Sequence, residues 1–160
     1  MDELLQILKQ NARTSLEDLA KMTASTPEAV AKKIAEYEAN GVIRGYQALV
    51  NEDTLPRDRV DAVIEVRVRP EREGGFDSVA RRIAGFREVE SVYLMSSGTY
   101  DLVLFVSGKT LQDVAGFVAR RLSTLDGVLS TATHFMLKTY KLSGVIMEPP
   151  PADERLQVSP

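Results

Sequence analysis

The sequence predicts an α+β chain, an N-terminal winged helix-turn-helix followed by a ferredoxin-like βαββαβ domain. Three observations predict it. Residues 1–41 carry apolar side chains at helical spacing, residues 60–147 alternate between strand-like and helix-like segments, and the polar stretch 51–59, with one proline, joins them. The expected organisation is therefore 1–50 as the helical domain, 51–59 as linker, 60–147 as the βαββαβ domain and 148–160 as a Pro-rich tail.

Leu4, Leu5, Ile7 and Leu8 predict a first helix over about 2–10, followed by a turn at Asn11-Ala12-Arg13. Two capping boxes compete to start the second helix, Thr14 with Glu17 and Ser15 with Asp18. That helix is short and ends near Met22. Thr26 before Pro27 is the expected N-cap of a third helix, because proline is tolerated at the first helical position. Its apolar seam is Val30, Ile34 and Tyr37, and Asn40-Gly41 stops it with a left-handed glycine. The segment 42–50 then reads as a small hairpin, the wing, with a basic tip at Arg44-Gly45.

In the second half, Val60, Ala62, Ile64, Val66 and Val68 alternate with mostly polar residues, as in a half-buried strand. Phe76, Val79, Ala80, Ile83 and Ala84 have helical spacing, and Gly85 closes that helix. Strands are expected at 88–95 and at 100–106, the latter nearly all apolar and so central. Thr110 caps a second helix carrying Val114, Phe117, Val118 and Leu122, and a fourth strand spans 128–137. The order is βαββαβ, with 140–147 as an extra strand.

Composition narrows the function. The chain has 160 residues, no cysteine, one histidine and a net charge of −3. Disulfides, thiolate metal sites and cysteine nucleophiles are excluded, and so is a two-histidine metal site within one chain. No apolar run approaches the ~20 residues of a membrane span, and Met1-Asp2-Glu3 lacks the basic start of a signal peptide. A cytoplasmic binding protein is expected, with no catalytic residues, metal or cofactor and no membrane partner. An enzyme of acylphosphatase type would need an asparagine in the sheet domain, yet asparagine occurs only at 11, 40 and 51.

Two clusters are candidates for binding. For double-stranded DNA they are Arg13, Ser25, Thr26, Lys32, Lys33 and Arg44, since the exposed start of the third helix would meet base edges while lysines meet phosphates. Residues 1–50 hold six basic and seven acidic side chains, so the attraction must be local. Lys32, Lys33 and Arg44 are expected along one edge, with Asp2 and Glu3 far from it. For a small effector, Asp101 follows the Gly98-Thr99-Tyr100 turn at the mouth of an apolar strand. A carboxylate beside exposed amides suits the two ends of an amino-acid zwitterion, and Thr131 and Thr133 add hydroxyls on one strand face. A hairpin turn with a self-capping aspartate explains Asp101 as well. His134 reads as an ordinary sheet histidine, and Arg81-Arg82 and Arg120-Arg121 as solvated helix edges.

Taken in order, Leu4-Leu5-Gln6-Ile7-Leu8, Ala12-Arg13-Thr14-Ser15, Asp18-Leu19-Ala20, Lys32-Lys33-Ile34, Glu38-Ala39-Asn40-Gly41-Val42-Ile43, Gly98-Thr99-Tyr100-Asp101 and Thr131-Ala132-Thr133 make the chain resemble the Lrp/AsnC (feast/famine) transcription regulators over roughly 1–147. The family favours Arg-Arg where Lys32-Lys33 stand and Leu where Tyr37 stands. The lysines keep the charge but lose the planar fork suited to guanine. The resemblance implies a DNA-binding regulator with an amino acid effector. It also implies homodimers formed through the sheets, octamers built from dimers, and effector sites between dimers near Gly98, Thr99, Tyr100, Asp101, Thr131 and Thr133. The rival expectation is a ligand-sensing oligomeric module whose helix-turn-helix has lost DNA.

Overall fold

The computed structural model describes residues 2–56, 58–70 and 74–148. The expected tail from 149 on therefore lies outside the described residues. The chain divides into two compact units between Ala48 and Leu49.

The first unit has three helices, α1 (Glu3–Gln10), α2 (Leu16–Met22) and α3 (Pro27–Ala39). Each begins on a side-chain oxygen that accepts an otherwise unpaired amide: Asp2 from Leu4 (2.9 Å), Ser15 from Asp18 (3.1 Å) and Thr26 from Ala29 (3.2 Å). Ser15, not Thr14, is thus the cap of α2. Leu4, Leu8, Leu19, Ala20 and Val30 are buried together, with Ile34 and Tyr37 of the α3 seam packed against them. Helix α3 ends in a Schellman motif. Gly41 (φ 69°) donates to the Glu38 carbonyl (3.1 Å) and Val42 to that of Tyr37 (2.8 Å).

The expected wing hairpin at 42–50 does not form; no strand is present there. The amides of Val42 and Ile43 are both already spent on the Tyr37 carbonyl. Neither Arg44 nor Gly45 takes the positive φ that a tight two-residue hairpin turn requires.

The second unit opens with a 3-10 turn at Glu52–Thr54. It continues with β1 (Val60–Val68), α4 (Asp77–Ala84), β2 (Val89–Leu94), β3 (Leu102–Gly108), α5 (Leu111–Phe117), β4 (Val128–Phe135), β5 (Lys141–Leu142) and β6 (Val145–Ile146). A π-helical turn, Val118–Leu122, prolongs α5. The sheet order is β2-β3-β1-β4, and every pairing is antiparallel. Ile64, Val66, Val68, Leu102, Leu104 and Val106 bury one sheet face against Val79, Ile83, Phe117 and Leu122 of the helical layer. On the other face Val63, Val103 and Phe105 are only half-buried, and Tyr93, 53% exposed, meets Phe105 edge-on at 6.0 Å. The expected extra strand at 140–147 is a separate hairpin, β5–β6, turning through Ser143 (φ 47°) and Gly144 (φ 92°). In the linker, the Asn51 side-chain amide donates to the Met147 carbonyl, which ties that stretch to the sheet unit.

Candidate functional site

Helix α3 displays Glu28, Ala29, Lys32, Lys33 and Glu36 to solvent, with Ser25 exposed just before it. Lys32 stands one turn from Glu28 and one turn from Glu36, and makes no ion pair among the described residues. The Lys33 ammonium lies 5.3 Å from the centre of the Tyr37 ring. Tyr37 in turn donates its hydroxyl to Asp2 at 2.5 Å. Asp2 therefore does not lie far from the basic edge, as its place in the sequence suggests. The α1 cap is held against α3, beside Lys33.

This contact shifts both of its partners. The Tyr37 hydroxyl, the Leu4 amide and the Lys33 charge hold the Asp2 carboxyl below its ordinary range. The hydrogen bond to Asp2, with smaller contributions from desolvation and nearby carboxylates, pushes the Tyr37 phenol up to about 12.

The other DNA candidates are spread along the unit. The Thr26 hydroxyl is committed to the Ala29 amide. Arg44 folds over Gly41 at the C-terminal end of α3, where its charge complements the helix dipole. At 1.5 Å per residue, Gly41 lies roughly 13 Å along the axis from Lys32, so the cations line α3 without forming one cluster. Arg13 is exposed in the turn after α1, its amide donating to the Asn11 side chain (3.0 Å).

In the second unit Asp101 is pinned at three points. Its Oδ2 accepts the Val68 amide (2.9 Å), its own amide donates to the Val66 carbonyl (3.0 Å), and its carbonyl accepts the Met95 amide (2.8 Å). This is why β3 begins at Leu102 and not at Tyr100. Gly98 stays outside the left-handed region, so the turn does not use its special freedom. Ser97 and Thr99 share a hydroxyl hydrogen bond (3.2 Å), and Ser97 Oγ accepts the Thr99 amide (3.3 Å). The amides of Gly98 and Tyr100 donate to no acceptor among the described residues.

Thr131 and Thr133 stand opposite Val66 and Ile64 in the β1–β4 register, on the helix-covered face. The Thr131 hydroxyl is 3.5 Å from that of Ser123. Strand β1 lies between Asp101 and these threonines. Two strand spacings, about 9–10 Å, separate them within one chain. His134 sits on the open sheet face, 3.7 Å from Glu65. Residue types alone did not signal the Asp2–Tyr37 contact, which joins positions thirty-five apart.

Comparison with known proteins agrees with both units. Residues 61–146 match the model of the Lrp/AsnC ligand binding domain, and residues 3–44 match a winged helix-turn-helix DNA-binding model. An uncharacterised HTH-type transcriptional regulator of Bacillus subtilis, YugG, is 46% identical over 99% of this chain and 95% of its own. Among solved structures, the leucine response regulatory protein LrpA of Mycobacterium tuberculosis superposes with a TM-score of 0.71 at 22% identity, covering 92% of this chain and all of that one. A Neisseria meningitidis transcriptional regulator in complex with L-methionine gives 0.67 at 24% identity, covering 89% and 93%.

Proposed function

Because the chain belongs to the Lrp/AsnC family of DNA-binding transcriptional regulators, which are not enzymes, we propose that its DNA binding is set by a free amino acid held at the Gly98–Asp101 turn of an oligomer. The observation that carries this reading is the Asp101 carboxylate, fixed by the Val68 amide with its second oxygen unclaimed, beside the unpaired amides of Gly98 and Tyr100. The carboxylate meets the ligand ammonium, and the amides meet the ligand carboxylate. The L-methionine in the Neisseria regulator supports this class of ligand. Thr131 and Thr133 of the same chain lie a strand away, so a neighbouring copy supplies them, which makes occupancy depend on assembly.

The assembly starts from the open sheet face. Val63, Tyr93, Val103 and Phe105 form an uncovered apolar patch that a second copy covers, giving a dimer, and dimers associate further into octamers. A ligand that binds one arrangement better shifts the population toward it, and the spacing of paired α3 helices follows. On α3, Lys32 and Lys33 contact phosphates or base edges, with Ser25 and Thr26 at the N-terminal end and Arg13 and Arg44 on the flanks. We assign DNA binding to 1–50, the linker to 51–59 and sensing and oligomerisation to 60–147, a reading supported by the division into two units near residue 49. We place the protein in the cytoplasm, with the DNA it regulates. No described helix is long and apolar enough to cross a membrane.

A melting series with each of the twenty amino acids tests the effector. At a hundredfold excess over its dissociation constant, a ligand adds about 2.7 kcal/mol of stability. At least one amino acid raises the midpoint. Failure of all twenty would refute the amino acid as effector.

A further inference from the structure

The Arg120-Arg121 pair looks like a solvated helix edge in the sequence, but the π turn changes its setting. In an undisturbed α-helix Arg121, four residues after buried Phe117, would face the core. The turn Val118–Leu122, closed by the Ser123 amide on the Val118 carbonyl (2.8 Å), inserts one residue. Leu122 takes the core position, fully buried, and Arg121 is released to the rim. There its guanidinium lies 4.4 Å from the Phe86 ring centre and donates to both Glu88 oxygens (2.7 and 3.0 Å). Such turns are frequent at functional sites.

The pair borders a cleft of about 480 Å3 between the end of β3, the residues after α4, and α5. Gly116 forms part of its floor, with Arg120 lying across it; a Cβ there would come within 2.4 Å of the guanidinium. Four cations and two carboxylates line the cleft, a local surplus of +2 in a chain of net charge −3. Both carboxylates are engaged. Glu88 is held by Arg121, with Arg87 at a looser 3.7 Å, and Asp113 accepts the Thr110 amide and hydroxyl (3.0 and 2.9 Å). Lys109 and Arg120 have no carboxylate partner among the described residues.

We propose that this cleft binds the phosphate group of a small metabolite between Arg120, Lys109 and Arg87. Guanidinium and ammonium groups lining one concave site suit a phosphate dianion, and the volume is that of a small-molecule site. The same positive surplus repels the ammonium of a free amino acid, so the ligand differs in kind from the one proposed at Asp101. The two sites lie beyond opposite ends of β3, roughly 20 Å apart along seven residues.

The test is calorimetric titration of the full-length protein at low salt, with inorganic phosphate and with pyrophosphate, for the wild type and for Arg120→Ala combined with Lys109→Ala. A non-operator DNA duplex serves as the other source of phosphate. Both side chains are exposed, and an unchanged melting temperature verifies the fold of the variant. We expect saturable pyrophosphate binding, one per chain, that weakens about tenfold or more in the variant while duplex affinity stays the same. In a second variant, Gly116→Ala, the displaced Arg120 weakens pyrophosphate in the same direction. The proposal is overturned if neither probe binds saturably at millimolar concentration, or if the double variant binds pyrophosphate as tightly as the wild type. It is equally overturned if the double variant loses duplex affinity alone, which would assign the cations to the DNA backbone.

Discussion

Replacing Asp101 separates its structural task from its proposed binding task. The β1–β3 ladder ends at the Val66–Leu102 pair, so no β3 carbonyl reaches the Val68 amide; the Asp101 carboxylate stands in for one. Val68 is 3% exposed, which leaves its amide without ready access to water. Asp101→Ala removes a hydrogen bond to a charged acceptor and strands that amide, a loss of about 1.5–3 kcal/mol. For a chain of this size that lowers the melting midpoint by roughly 3–12 °C. Asp101→Asn retains an oxygen for Val68 but no charge. It stays within about 1 kcal/mol of the wild type and no longer responds to the amino acid that stabilises the wild type. Thermal and urea unfolding, followed by circular dichroism at one fixed protein concentration, measures all three forms. An Ala variant as stable as the wild type, or an Asn variant as unstable as Ala, would refute the structural half. A full ligand response in Asp101→Asn would refute the binding half.

Removing Lys32 or Lys33 weakens DNA binding and lowers the salt slope by about one for each DNA phosphate that is no longer neutralised. Lys32→Ala weakens it more than Lys33→Ala, because Lys33 already shares its charge with Asp2 and the Tyr37 ring; equal losses in a salt-titrated gel shift would contradict that ranking. Tyr37 titrates near pH 12, measured as the phenolate absorbance missing from Tyr37→Phe, and returns toward 10 in Asp2→Ala. Its folded value lies above the unfolded one, so its contribution to stability is complete below pH 10 and disappears as pH rises through 12. Asp2, shifted downward, contributes above the ordinary carboxylate range and loses its share as pH falls through the lowered value. Phe105→Asp on the open sheet face yields monomers in light scattering, whereas the wild type is at least dimeric; a monomeric wild type at micromolar concentration would remove the proposed interface.

Local signals carried most of the fold. Caps at Thr26 and Thr110, the Gly41 stop and the alternation of Ala62, Ile64, Val66 and Val68 are each settled within a few residues of chain, and each appears where the pattern puts it, whereas the choice between Thr14 and Ser15 for the cap of α2 is made only in the fold. The failures are places where one group serves two elements. Val42 and Ile43 look like a strand, but their amides belong to the end of α3. Asp2 looks remote from the basic edge of α3, yet while one of its oxygens caps α1 the other takes the hydroxyl of Tyr37. The π turn hides in a regular apolar pattern because Val118 and Leu122 satisfy helical spacing on their own. At the candidate effector site, residue types identified a carboxylate beside amides, but not the strand that separates Asp101 from Thr131 and Thr133. That separation comes from the β2-β3-β1-β4 order, which no local spacing encodes.

The most direct test of the central claim is fluorescence anisotropy of a labelled duplex from upstream of the protein's own gene, titrated with the full-length chain in the presence of each amino acid in turn. Binding is expected to saturate and to weaken as salt rises, with a midpoint that moves with at least one amino acid in the wild type but not in Asp101→Asn. Binding to the duplex that no amino acid moves would contradict it.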